Sequence, residues 1–346
     1  MAHNSNMSLQ KERKRVRLRT RLTVFILIVI LVQLTTSVMA LVLGGEFREL
    51  EAHSYNVVTE KTKSRSEYLQ SDLNEKAALV QSYADRLNSV TDSILAGRRR
   101  SAADLAHDME LVERILSSSV DTVSALLRRT GANDAYFLLD TGELYAEEGG
   151  SGALAALYIR NAASSTEGDD FQLVLGQHSI TYEHDGISEH YGWSRFFVPD
   201  EAREQDFDFF FAPLKAAREN SGLAQSDLGY WSGFSTVSST VTPSIKYSLP
   251  LISADGTAIG VLGIGLTEET VLSTIPSGDF AGNAGCYVLG QGSTESGFDI
   301  LTYSGSAFYS LLGGAETLSV SGEKTEGIYD FKMVKDVEIS GSVQQI

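Results

Sequence analysis

The chain has 346 residues, 42% of them apolar and 21% charged, a balance that excludes a disordered polymer and fits a globular protein. Its formal charge is −17; the first 21 residues hold seven basic side chains against one acid, so the remainder carries −17 less +6, or −23. So acidic a surface repels phosphate backbones, which excludes DNA and RNA as partners.

The basic side chains Lys11, Arg13, Lys14, Arg15, Arg17, Arg19 and Arg21 stand directly before an uncharged run from Leu22 to Leu43. A run of that length crosses a hydrocarbon core of about 30 Å. A basic flank stays on the cytoplasmic side, so the spacing predicts residues 1–21 as a cytoplasmic segment and 22–44 as a membrane helix. Everything after it is then extracytoplasmic. Val38 and Ala40 would also suit signal-peptide cleavage, but the apolar run exceeds the about 7–15 residues of a signal core. Cys286 is the one cysteine, so no intrachain disulfide forms, and its neighbours Tyr287-Val288-Leu289 predict a buried thiol.

Residues 45–129 read as a long helical region. Leu69, Leu73, Ala77, Val80, Ala84, Leu87 and Ile94 draw one apolar stripe. Gly97-Arg98-Arg99-Arg100 interrupts it and reads as a solvated loop. Ser101 with Asp104 predicts the start of a second helix carrying Leu105, Met109, Val112, Leu116, Val120, Val123 and Leu127.

Beyond Gly131 the pattern changes to strands. Ala135-Tyr136-Phe137-Leu138-Leu139 is closed by the turn Asp140-Thr141-Gly142, and Leu157–Ile159 and Phe171–Leu175 follow. Residues 185–235 read as irregular and partly helical. Ile245–Ile252 and Ile259–Leu266 flank Asp255-Gly256 as a hairpin, and Glu268–Ile275 reads as a short helix stopped by Pro276. Further strands are predicted at Ile300–Tyr303, Leu318–Val320, Ile328–Phe331 and Val337–Ile339. The chain stops at Ile346 inside a strand-like run, so its last module reads as incomplete.

The order of an N-terminal membrane helix, a long exported helix, the strand Ala135-Tyr136-Phe137-Leu138-Leu139-Asp140, the segment Gly229-Tyr230-Trp231-Ser232 and the hairpin Tyr247-Ser248-Leu249-Pro250-Leu251 … Asp255-Gly256 … Gly260-Val261-Leu262-Gly263-Ile264 resembles the double Cache (dCache) sensor domain of bacterial transmembrane receptors. The middle of the chain is most similar to sensors attached to clostridial diguanylate cyclases. The resemblance implies an α+β fold of two stacked PAS-like modules with antiparallel sheets. Residues 130–276 would form the membrane-distal, ligand-binding module and 280–346 the membrane-proximal one. It implies a homodimer, a small-molecule ligand and no cofactor, with an output domain (diguanylate cyclase, histidine kinase or chemoreceptor) beyond this chain. In amino-acid-binding members an arginine before an aromatic pair and a late aspartate hold the ligand. Here the matching positions are Asp208 before Phe209-Phe210-Phe211, and Gly265, which argues against an amino-acid ligand.

A ligand site in such a module needs polar groups converging among aromatics. Trp193, Arg195, Tyr230, Trp231 and Tyr247 are the candidates, Arg195 for a carboxylate or phosphate and the tryptophans for a ring or cation. Ordinary core packing explains the aromatics equally well. His178, His184 and His190 lie among Glu183, Asp185 and Glu189, but their six-residue spacing puts them on no single helical face. Gly260, Gly263 and Gly265 fit close backbone packing in a strand. No catalytic motif occurs. The competing functions are an anchored extracellular metal-dependent enzyme built on His178–His190, and a surface scaffold that uses the helical stripe.

Overall fold

The computed structural model describes residues 23–40, 46–163, 169–199, 206–275, 285–305, 315–325, 327–332 and 338–346. The basic segment 1–21, the ends of the 22–44 span, Pro276 and Val337 lie outside the described residues. The protein is α+β, with one N-terminal apolar helix and two sheets.

Helix α1 (Thr23–Ala40) has a mean hydropathy of 2.3 and buries none of its surface within the chain. Its 18 residues rise about 27 Å at ~1.5 Å each, enough to cross a membrane. The 53-residue α2 (Glu46–Arg98) is polar overall and buries a narrow stripe: Leu69, Val80, Ala84, Leu87, Thr91 and Leu95, with Leu73, Ala77 and Ile94 packed alongside.

The corner that follows is tighter than its sequence suggests. Arg99 takes φ 56, and Ser101 caps a single 3-10 turn (Ala102–Ala106) through reciprocal bonds with Asp104. Helix α3 (Met109–Thr130) starts later than Ser101 predicts, because Asp108 accepts the Leu111 amide and supplies the true cap. The arginines hold this corner: Arg98 pairs with Glu110 at 2.7 Å, and Arg100 with Asp104 and Asp108 at 3.3 and 3.2 Å. From Leu111 to Leu127, α3 buries Val112, Ile115, Leu116, Val120, Val123 and Leu126 at helical spacing. Each contributes roughly 1.5–3 kcal/mol as an upper estimate. Gly131 closes the helix in the left-handed conformation at φ 60.

The first sheet runs β4-β3-β2-β1-β8-β7-β6. Its strands are β1 (Asp134–Leu139), β2 (Leu154–Asn161), β3 (Phe171–Leu175), β4 (Ile187–Ser194), β6 (Tyr230–Ser235), β7 (Ser244–Ile252) and β8 (Ala258–Thr267), with β5 (Phe196–Phe197) paired to β2. All pairings are antiparallel except that of β3 with β4. Short helices α4 (Ala146–Gly149), α5 (Ile180–Glu183) and α7 (Glu268–Ser273) connect strands. Residues 185–235 thus hold helix α6 (Asp208–Glu219), in line with the partly helical reading, and three strands that this reading missed. In β4 only Ile187 and His190 are buried, too sparse a pattern to register as a strand.

Both faces of this sheet are covered. Strict alternation sends Ala135, Phe137 and Leu139 of β1, with Ala155, Leu157 and Ile159 of β2, into a core under α2 and α3. It sends Tyr136, Leu138, Ala156 and Tyr158 to the other face, under Phe209, Phe210 and Leu214 of α6. The second sheet, β13-β12-β11-β10-β9, comprises β9 (Tyr287–Ser293), β10 (Gly297–Ser304), β11 (Thr317–Thr325), β12 (Ile328–Lys332) and β13 (Glu338–Ser342). Cys286 stands just before β9, half-buried, and burial pushes its thiol up.

Candidate functional site

The face under α6 holds a charge deep inside the sheet. In β7, Ser244, Lys246 and Ser248 share one side, and all three are fully buried. Lys246 Nζ donates to Ser244 Oγ at 2.6 Å and to the Ser235 carbonyl at 2.8 Å, and sits 5.4 Å from the centre of the Phe209 ring. Ser244 Oγ in turn donates to Asp134 Oδ2 at 3.1 Å. A serine hydroxyl therefore joins a buried ammonium to a buried carboxylate.

Two glycines of β8 make this possible. Asp134 and Lys246 both lie opposite Gly265, one on each neighbouring strand. A Cβ on Gly265 would come within 2.2 Å of the Asp134 carboxylate and 2.5 Å of Ser244 Oγ. Likewise Tyr136 lies across Gly263, where a Cβ would meet its ring and hydroxyl at 2.4 Å, and reaches Ser248 Oγ at 2.8 Å. Gly260 fits the close-backbone reading, with the Leu138 carbonyl 2.2 Å from a would-be Cβ. Gly263 fits it too, with the Tyr247 carbonyl 2.4 Å from a would-be Cβ beside the Tyr136 ring, whereas at Gly265 the close atoms are all side-chain atoms of Asp134 and Ser244.

The surroundings are aromatic and partly unpaired. Tyr136 and Tyr158 stack at 5.5 Å, and Phe209 meets Tyr136 edge-on at 5.6 Å. Tyr230 donates to Asp208 Oδ2 at 2.8 Å where α6 begins. Ser235 Oγ is buried without a hydrogen-bond partner, while the Tyr158 hydroxyl faces the Asp134 carboxylate and Ser244. Burial drives the titrations here. It pulls the Lys246 ammonium below the usual lysine range, against the opposing pull of Asp134 and Asp208. It raises the Tyr158 phenol, with the Asp134 charge adding to the effect, and raises Tyr136 against its Ser248 bond. Asp208 is raised by burial against the Tyr230 bond, and Tyr230 is pushed up to about 12 by burial and Asp208.

Of the five residues singled out by sequence, Tyr230 belongs to this cluster. Trp231 follows it on the strand and faces the helical side, where it meets the Tyr247 ring at 4.9 Å. Tyr247 is buried there beneath the helices. Trp193 donates its indole N–H to the Gly176 carbonyl at 3.0 Å and packs near His178. Arg195 pairs with Glu113 at 2.7 Å and with Glu148, and lies over Phe196. The five are not brought together. The three histidines separate as well: His178 pairs with Glu189, His184 with Asp121, and His190 with Arg160.

Lys246, Asp134, Ser244 and Tyr158 escaped sequence reasoning. The signal was the alternation Ser244-Lys246-Ser248 inside an apolar strand, which by itself describes a solvated face.

No family model matches the chain, and no curated protein matches it either. Solved structures with some likeness include the periplasmic sensory domain of the Campylobacter jejuni chemoreceptor Tlp1, at 13% identity and a TM-score of 0.38, covering 64% of each chain. The chain thus spans 64% of that domain's length. Another is the extracellular domain of a proposed histidine kinase, soHK1S-Z6, at 13% identity and TM-score 0.40, covering 86% of this chain and 97% of that one. A third is the Campylobacter jejuni chemoreceptor Tlp3 ligand-binding domain in complex with L-valine, at 11% identity and TM-score 0.35, covering 83% and 89%. At such low identities and scores, the likeness says nothing of this chain's own chemistry.

Proposed function

We propose that the chain is the extracytoplasmic small-molecule sensor part of a bacterial transmembrane signalling receptor. The observation that carries this reading is the cluster beneath α6. Burying an ammonium and a carboxylate in an apolar layer costs several kcal/mol. Such groups converging among aromatics are what a ligand site requires. The apolar α1 and the dCache resemblance support the same reading. Residues 130–276 act as the distal ligand-binding module and 280–346 as the proximal one. Residues 22–44 hold the N-terminus in the cytoplasm and the rest outside.

Mechanistically, a ligand favours one arrangement of the sheet and α6. The helices packed on the opposite face then shift against those of a partner copy. The output lies in a domain beyond this chain: diguanylate cyclase, histidine kinase or chemoreceptor.

Thermal unfolding of the whole chain in detergent, screened against metabolites, tests this. A metabolite is expected to raise the melting temperature, and Tyr158→Phe is expected to reduce that rise. The substitution keeps the ring and removes only the hydroxyl that faces Asp134 and Ser244, a loss to the fold of about 1–3 kcal/mol, so the rise is read against the variant's own melting temperature. A chain stabilised by zinc and by no organic molecule sinks the sensor reading in favour of the enzyme.

A further inference from the structure

The buried ammonium of Lys246 has a full set of surroundings suited to a primary amine: a hydroxyl acceptor, a carbonyl acceptor, an aromatic face and a carboxylate one bond further on. Two of these come from β7 and the end of β6, one from α6 and one from β1. Four separate elements therefore converge on a single cation. The fully buried Tyr158 hydroxyl faces the same Asp134 carboxylate and Ser244, so the polar groups around the cation form one connected set.

We infer that Lys246 is the built-in occupant of a primary-ammonium site formed by Asp134, Ser244, the Ser235 carbonyl and the Phe209 ring, and that a ligand bound beneath α6 therefore carries no amino group of its own. This deepens the sensor reading and rests on it for the place of the ligand. The physical reason is charge. A second cation beside Lys246 would be repelled at close range in a layer of low dielectric, where unlike charges are already neutralised through Ser244. Selectivity against amines is then set by a residue of the chain, Lys246, rather than by the size of the opening.

Removing the side chain should turn this internal cation into a separable ligand. In Lys246→Ala, the lost atoms match n-propylammonium. That ion is expected to raise the melting temperature of the Lys246→Ala chain by several degrees at millimolar concentration. n-Propanol, of the same shape without the charge, and tetramethylammonium, which offers no N–H, are expected to do neither, and the wild type is expected to ignore all three. An equal rise in wild type, or no rise in Lys246→Ala, overturns the inference. Should Lys246→Ala fail to fold, Lys246→Met keeps the apolar stem and removes only the amine. Its melting temperature is expected to fall and to recover when Asp134→Asn is added; failure to recover overturns the inference. These readouts use the unliganded chain, so they stand apart from whether the metabolite screen finds a ligand.

Discussion

Gly265 has no side chain, and the space it leaves is where Asp134 and Ser244 meet. Replacing it with alanine forces a Cβ against a carboxylate that has nowhere apolar to go. Gly265→Ala is expected to cost about 1–3 kcal/mol in chemical denaturation, the usual range for overpacking. Gly97→Ala is the control: it lies in the last turns of α2 with nothing within 4 Å, and should gain roughly 0.5–1 kcal/mol. If both substitutions destabilise equally, the crossing of Asp134 over Gly265 is not what that glycine serves. Residue identity alone could not reveal this. A glycine in a strand reads the same whether backbone or side chain fills the gap, and only the pairing register places Asp134 and Lys246 on either side of it.

At the scale of elements, the apolar periodicity located α2, α3 and the central hairpin correctly, because helical and strand repeats differ in period and both are long here. The helix start was a different matter. Ser101–Asp104 and Asp108–Leu111 are both capping signals, and the chain uses each: the first for a 3-10 turn that tucks Leu105 inward, the second for α3. Asp108→Ala should cost about 1 kcal/mol by removing the bond to the Leu111 amide, and it also strips Arg100 of one partner. Urea denaturation checks it; a loss no greater than that of Ser101→Ala would mean that the 3-10 turn, and not α3, is the unit being capped. Strand β4 was lost to sequence reading for the opposite reason, since its exposed polar positions outnumber its buried ones.

For the whole molecule, the two sheets meet where α7 and the end of β6 approach β10. Phe234, Thr242, Pro243, Glu268 and Leu301 line a cleft of about 150 Å³ there, and Thr302 Oγ1 donates to Glu268 Oε1 at 2.6 Å across it. Thr302→Val leaves that carboxylate without this donor, a loss of about 1.5–3 kcal/mol for a bond to a charged group. Hydrogen exchange should then speed up in β9 and β10 while β1, β7 and β8 keep their protection. Equal loosening of both sheets would show that they open as one unit. The second sheet also touches the long helix, through Lys324 to the Tyr55 hydroxyl at 2.6 Å and Ser66 to the Gln345 carbonyl at 3.4 Å. What the sequence by itself determined is the part governed by period and composition: an apolar helix of membrane-crossing length, a long striped helix, an α+β body and an acidic surface. Folding decided the site. Ser244, Lys246 and Ser248 have the alternation of a wet face, and only the placing of α6 over that face turns a solvated lysine into a buried, bonded cation. Burial of a charge depends on what covers it, and the covering helix comes from a part of the chain about thirty residues away that carries no local mark of its partner.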